Sequence, residues 1–192
     1  MHQLEPYYLW RDHYIASEDD KSPFYGRQYS EFEFSNKIYN YYIHPQWDDI
    51  GSPTLFAKLI FTDYDLHVAI IEFIGEWNDC IQNDIMFLKN NVIDELQESG
   101  INKFILICEN VLNFHAGDED YYAELQEEIS EEHGYVVLVN LQEHVFNEFS
   151  DHGLLQYITF GFPFQDFNWR KYKPEQLTML VDSQLSAPYL NE

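Results

Sequence analysis

The sequence predicts an α/β domain: a mixed sheet with β-α-β-α-β-α order in residues 67–153, preceded by an antiparallel hairpin. Three observations predict it. Short apolar runs, HVAIIEFI, FILIC and YVVLV, alternate with longer segments whose apolar residues recur at helical spacing. A glycine follows each helical segment, at Gly100, Gly134 and Gly153. A further apolar run, Leu55–Thr62, precedes the first of these strands across a short polar turn at 63–65. Strands that alternate with helices favour a parallel or mixed sheet covered by those helices.

The elements read in order as follows. Residues 1–35 are aromatic and polar without a steady period, and EPYYLW and SPFYGRQYSEFEF read as an arm over the body. Ile38–Ile43 is rich in β-forming residues and is broken by Pro45 and DDIGSP. Leu55–Thr62 and His67–Ile74 form the hairpin, with Gly75 ending its second strand. Asn78 is the expected N-cap of a long helix. Its stripe is Ile81, Ile85, Leu88, Val92 and Leu96. Phe104–Cys108 is a continuous apolar run, the mark of a strand buried on both faces. The segment 109–122 reads as the loop into the next helix, overlapping its start. Asp118–His133 reads as a helix with Tyr122, Leu125 and Ile129 inward, and Tyr135–Val139 as another buried strand. A helix over Glu143–His152 turns Val145, Phe146 and Phe149 inward. Leu154–Phe160 adds a short strand or a packed loop. Pro174–Gln184 reads as a last helix, with Pro174 in its first turn.

The chain has 192 residues, which suits one domain, or one with an elaborated terminus. Aromatic residues make up 18%, too many for a disordered chain despite the charge. That charge is −24, from 10 Lys and Arg against 34 Asp and Glu. Such a chain repels phosphate backbones and anionic membrane surfaces, so nucleic acid is not expected as a partner. A protein partner with a basic surface is favoured, and a homodimer stays open. The first fourteen residues carry no secretory pattern, and no apolar run approaches the length of a membrane helix, so no membrane insertion is expected. A cytoplasmic setting follows. Cys80 and Cys108 form no CxxC and are both expected as buried free thiols.

Motifs for phosphate binding, nucleophile elbows and zinc hydrolases do not occur, and no cofactor or metal is expected. Acidic clusters are frequent, but GDEDYYAELQEE lacks the spacing of a calcium loop. Glu76 and Asp79 stand after a strand as a carboxylate pair with no visible base or nucleophile. The segment Asn110–Tyr121 is the most informative. Loops at the carboxyl ends of strands carry functional groups in open α/β sheets. Here Asp118, Glu119 and Asp120 fall at a helix start, where the helix dipole stabilises negative charge. They either cap the helix or present a fixed anionic feature to a partner.

Residues from about 67 to 160 resemble the STAS domain, the fold of bacterial anti-sigma-factor antagonists and of the cytoplasmic tail of sulfate transporters. The residues that carry the resemblance are IIEFIGEWND, ELQESG, INKFILICENV, LNF and HG, then YVVLVN and DHGLL. The resemblance implies a regulatory protein-interaction module that presents its regulatory residue just before the second helix. That family carries an Asp-Ser-Ser-Gly turn there, and one serine is phosphorylated. This chain has His115-Ala116-Gly117-Asp118, with no Ser or Thr between Val111 and Tyr121. The expected partner-binding residues are therefore His115, Asp118, Glu119, Asp120 and Tyr122, with permanent charge where the phosphate would sit. Residues 1–60 are expected as an aromatic, acidic extension that packs on or completes the sheet of a STAS-like domain over 61–192. Three other readings stay open: a small-ligand or lipid-binding protein whose Tyr and Phe in 1–62 line a pocket, an enzyme using Glu76, Asp79 and His115, and an acidic mimic of nucleic acid.

Overall fold

A computed structural model describes residues 4–187. Strands β1 (Lys37–Ile38) and β2 (Tyr41–Tyr42) pair as a small antiparallel ladder. A five-stranded sheet follows in chain order: β3 (Asp48–Asp49), β4 (Leu55–Asp63), β5 (Val68–Asn78), β6 (Lys103–His115) and β7 (Tyr135–Val139). Pairing is antiparallel from β3 to β5 and parallel from β5 to β7. After β5, helix α1 (Asp84–Leu88) runs through a π-helical turn (Lys89–Ile93) into α2 (Asp94–Glu98). Helix α3 (Asp120–Glu131) joins β6 to β7, and α4 (Glu143–Asp151) and α5 (Pro174–Ser186) follow. This is the predicted α/β class, with the β-α-β-α-β-α order and the antiparallel hairpin before it.

The period of two in β5 divides its side chains between two cores. Phe73 and Trp77 face the helical layer, where Ile85, Leu88, Val92, Leu96, Leu125, Ile129, Val145 and Phe149 close the main core. Val68 and Ile70 face the other side, where Trp10, Phe164 and Trp169 with Leu177 and Val181 of α5 form a second core. Further along that side, Ile74 joins Ile38, Ile43, Trp47 and Phe56 in a small cluster beside the β1–β2 ladder. Lys89 pins the first helical segment to α3. Its ammonium lies 2.9 Å from Glu128, 3.1 Å from Asp94 and 3.4 Å from Glu124.

Several sequence expectations are corrected. Asn78 is the last residue of β5 and not a helix cap. Its Oδ1 accepts the Ile81 N–H at 3.0 Å, a local bond that a short amide makes in competition with helix. The helix starts only at Asp84, so Ile81 is 76% exposed while the rest of the stripe is buried. Gly75 does not end β5. With φ at +122° it lets the strand continue, and a Cβ there would meet the Thr54 carbonyl oxygen at 2.0 Å. Strand β6 does not stop at Cys108 but continues to His115, because β5 offers it partners as far as Asn78. The span 109–115 is therefore strand and not loop. Ile38–Ile43 is not one strand but parts of two short paired strands around a turn, since Tyr39 adopts φ +53°. Leu154–Gln156 is a 3₁₀ turn, followed by a single parallel bridge from Thr159 to Val137. Cys108 is buried as expected, but Cys80 is exposed, since it lies in the turn before α1.

Candidate functional site

The extension of β5 and β6 beyond the end of β7 builds the site. Their last register pair is Asn78 with His115, which sets His115 at the carboxyl end of the sheet. Its Nε2 lies 2.9 Å from Glu76 Oε1, and the Tyr39 hydroxyl donates to the same oxygen at 2.7 Å. The backbone carbonyl of His115 accepts the N–H groups of Asp79 and Cys80 at 2.9 and 3.2 Å. The chain then turns tightly through Ala116 and Gly117. A Cβ on Gly117 would lie 2.5 Å from the Asp79 carbonyl oxygen, so only glycine lets this turn close onto β5.

Beneath the turn, Asp79 is buried. Its carboxylate accepts the Tyr122 hydroxyl at 2.5 Å, the Ile85 N–H at 2.8 Å and the Trp77 indole N–H at 3.1 Å. Burial pushes its carboxyl up to about 6, against the opposing pull of these donors. Asp84 is buried beside it and raised by the same cause. One of its oxygens accepts the Asn78 N–H at 2.7 Å.

The expected partner-binding residues divide. His115, Asp118, Glu119 and Asp120 are all exposed and form one ridge. A cleft of about 200 Å³ opens beside Asp118 and Glu119, lined also by Phe114, His152 and Leu154 among others. Tyr122 is 1% exposed and supports the ridge from below through Asp79. No side chain caps the amino terminus of α3, whose cap position is Glu119. Asp118–Asp120 thus offer the helix their charge and no cap hydrogen bond. Of the residues considered for catalysis, the structure joins Glu76 to His115 and buries Asp79.

A second polar cluster lies on the face of the sheet that α5 covers, opposite α1–α4. Glu72, 1% exposed, accepts the Tyr7 N–H at 2.7 Å and stands 3.7 Å from the Arg170 guanidinium. Arg170 also bonds Glu109, which accepts the Trp169 indole N–H at 3.4 Å. Burial pushes Glu72 up to about 7, while Tyr7 and Arg170 pull it down. Sequence reading missed this cluster. Its one signal was the lone acid inside the apolar run HVAIIEFI.

Among the described residues no three His, Cys, Asp or Glu side chains are grouped to hold a metal ion, and no helix is long and apolar enough to cross a membrane. Neither a family model nor a curated protein matches the chain. Solved structures similar to part of it include the following two. A crystal structure of a candidate anti-sigma factor antagonist from Thermotoga maritima is 21% identical with a TM-score of 0.41, covering 53% of this chain and 83% of that one. An NMR structure of the protein TM1081 is 19% identical with a TM-score of 0.40, covering 67% of this chain and 90% of that one.

Proposed function

We propose that this chain is a non-catalytic, STAS-like regulatory module that binds a protein partner through the ridge 115–120. The observation that carries the reading is that Asp118, Glu119 and Asp120 are exposed, the first two beside a cleft, after a turn held against Asp79; none makes a cap hydrogen bond, and Glu119 accepts from the exposed Gln156 at 3.4 Å. Fixed, solvated carboxylates at the carboxyl end of a sheet suit a partner with a basic surface. No Ser or Thr lies between Val111 and Tyr121, so the module works without a serine phospho-switch, its charge being permanent. The net charge of −24 supports a protein partner over nucleic acid.

The test is the triple variant Asp118→Asn, Glu119→Gln, Asp120→Asn, which removes charge and keeps shape. Partner capture from a native lysate should fall steeply and mimic the loss caused by raised salt. Thermal stability should change only modestly, since each dipole interaction is worth about 0.3–1 kcal/mol. Unchanged capture would reduce the ridge to a structural role. One observation favours a second reading, a small amphipathic ligand: an apolar groove of about 350 Å³ beside the tyrosines of the β1–β2 ladder.

A further inference from the structure

The groove lies where the cover on the outer face of the sheet is incomplete. Strand β5 presents Glu72, Ile74 and Glu76 on that face in succession, spaced by about 7 Å. Ile74 helps line the groove, and Leu4, Ile38, Tyr41, Tyr42 and Leu112 supply most of its remaining apolar wall. Leu4, Tyr41, Tyr42 and Leu112 are large apolar side chains that stay exposed. Their convergence on one groove is unlike scattered exposed apolar residues, which need no explanation.

The polar surroundings are acidic. Of the groove's two polar lining residues, His44 pairs with Glu5 at 3.0 Å, and the Asn110 amide donates to Glu72 at 3.5 Å. Beyond Ile74 on the strand, Glu76, which pairs with His115, also accepts from Tyr39 in the turn between β1 and β2. A cation already sits against the wall: the Lys37 ammonium stands 4.5 Å from the centre of the Tyr42 ring. At about 350 Å³ the groove is at the low end of small-molecule sites, which enclose most of their ligand. An open groove of this size suits one or two large side chains of a longer segment.

On the reading of the chain as a partner-binding module, we infer that this groove takes a short peptide segment of the partner, with one or two large apolar side chains flanked by Lys or Arg. The apolar side chains fill the space above Ile74, and the flanking cations face Glu5 and Glu76.

The probe is a set of labelled hexapeptides of pattern Lys-Lys-X-X-Lys-Lys, X being Phe, Leu, Ile, Tyr, Ser or Gly, with a Glu-flanked set as control. Fluorescence polarisation with the full chain should show the apolar, Lys-flanked members binding tighter than either control by about ten-fold or more. Leu112→Ser with Tyr41→Ser, both at exposed positions, should weaken binding by about ten-fold while the melting temperature holds. Glu76→Gln should weaken it less and flatten its salt dependence. Equal binding of the Ser/Gly or Glu-flanked peptides overturns the assignment, as does binding that survives the groove variant. Binding of phosphatidylcholine vesicles, or a dimer dissociated by Leu112→Ser, gives the groove to a lipid or to a second copy and overturns it equally. If lysate capture is lost in the 118–120 variant but kept in the groove variant, the groove assignment falls and the module stands. If both variants keep full capture, both fall.

Discussion

Asp79 ties the ridge to the sheet: its carboxylate holds Tyr122 and the start of α1, and its backbone N–H holds His115. Tyr122→Phe removes the hydroxyl and leaves Asp79 with two donors. Urea unfolding should show a loss of about 1–3 kcal/mol, the cost of a buried group that loses a partner. No loss would mean that the bond contributes nothing net. The apolar place of Tyr122 was legible from its spacing with Leu125 and Ile129. The partner of its hydroxyl was not, because Asp79 is 43 residues away in the chain. The two thiols give a second residue-level forecast. Burial pushes the Cys108 thiol far up, whereas Cys80 is exposed. One thiol should react with a disulfide reagent in the native protein, and the second only after denaturation. Two fast thiols would contradict the burial of Cys108.

At the scale of elements, the helix after β5 and the turn before α3 make opposite forecasts for similar-looking changes. Leu88 is fully buried in the main core, so Leu88→Ala should cost about 2–5 kcal/mol in denaturant unfolding. Ile81 falls on the same sequence stripe but is exposed, so Ile81→Ser should stay within about 0.5 kcal/mol. Equal losses would restore the longer helix that the periodicity suggested. Gly117→Ala adds a single methyl, yet that methyl meets the Asp79 backbone. It should shift the ridge and cut partner capture more than it lowers the melting temperature. Capture that tracks the melting temperature would show that the turn is not what positions the ridge. Helical spacing located the stripe, but the start of the helix was decided by a local Asn78 bond, and the length of β6 by the strand beside it.

For the whole molecule, buried carboxyls and net charge push stability in the same direction. Glu72 is raised from 4.5 to about 7, and Asp79 from 3.8 to about 6. In the window between these values the folded chain keeps protons that the unfolded chain has released. Stability therefore falls as pH rises from about 4 to about 7 and levels off above, the sign that linkage requires. Calorimetry should find a higher melting temperature at pH 5 than at pH 8. Glu72→Gln should flatten the upper part of the window, although Glu109 and Arg170 still face the site. An unchanged slope would remove Glu72 as the titrating group. Added salt should raise the melting temperature at pH 8, because it screens repulsion in a chain of charge −24. A fall in melting temperature with salt would give the larger role to ion pairs such as Lys58 with Asp48, 3.0 Å apart, and those of Lys89.

Periodicity and glycine placement determined the class of the fold, the order of its main elements, four of the five strands of the sheet and, Ile81 apart, the inward stripe of the first helix, since these depend on which residues leave water. The ridge Asp118–Asp120 was legible for the same reason, as charge at a helix start. Tertiary structure alone decided where β5 and β6 stop, because strand ends depend on a neighbour's backbone and not on local hydrophobicity. It alone brought Glu76 to His115, Asp79 to Tyr122 and Glu72 to Arg170, contacts across 39, 43 and 98 residues of chain. The apolar groove also belongs to it. Leu4, Tyr41 and Leu112 lie far apart in sequence, and only packing sets them around Ile74 with their faces still open to water.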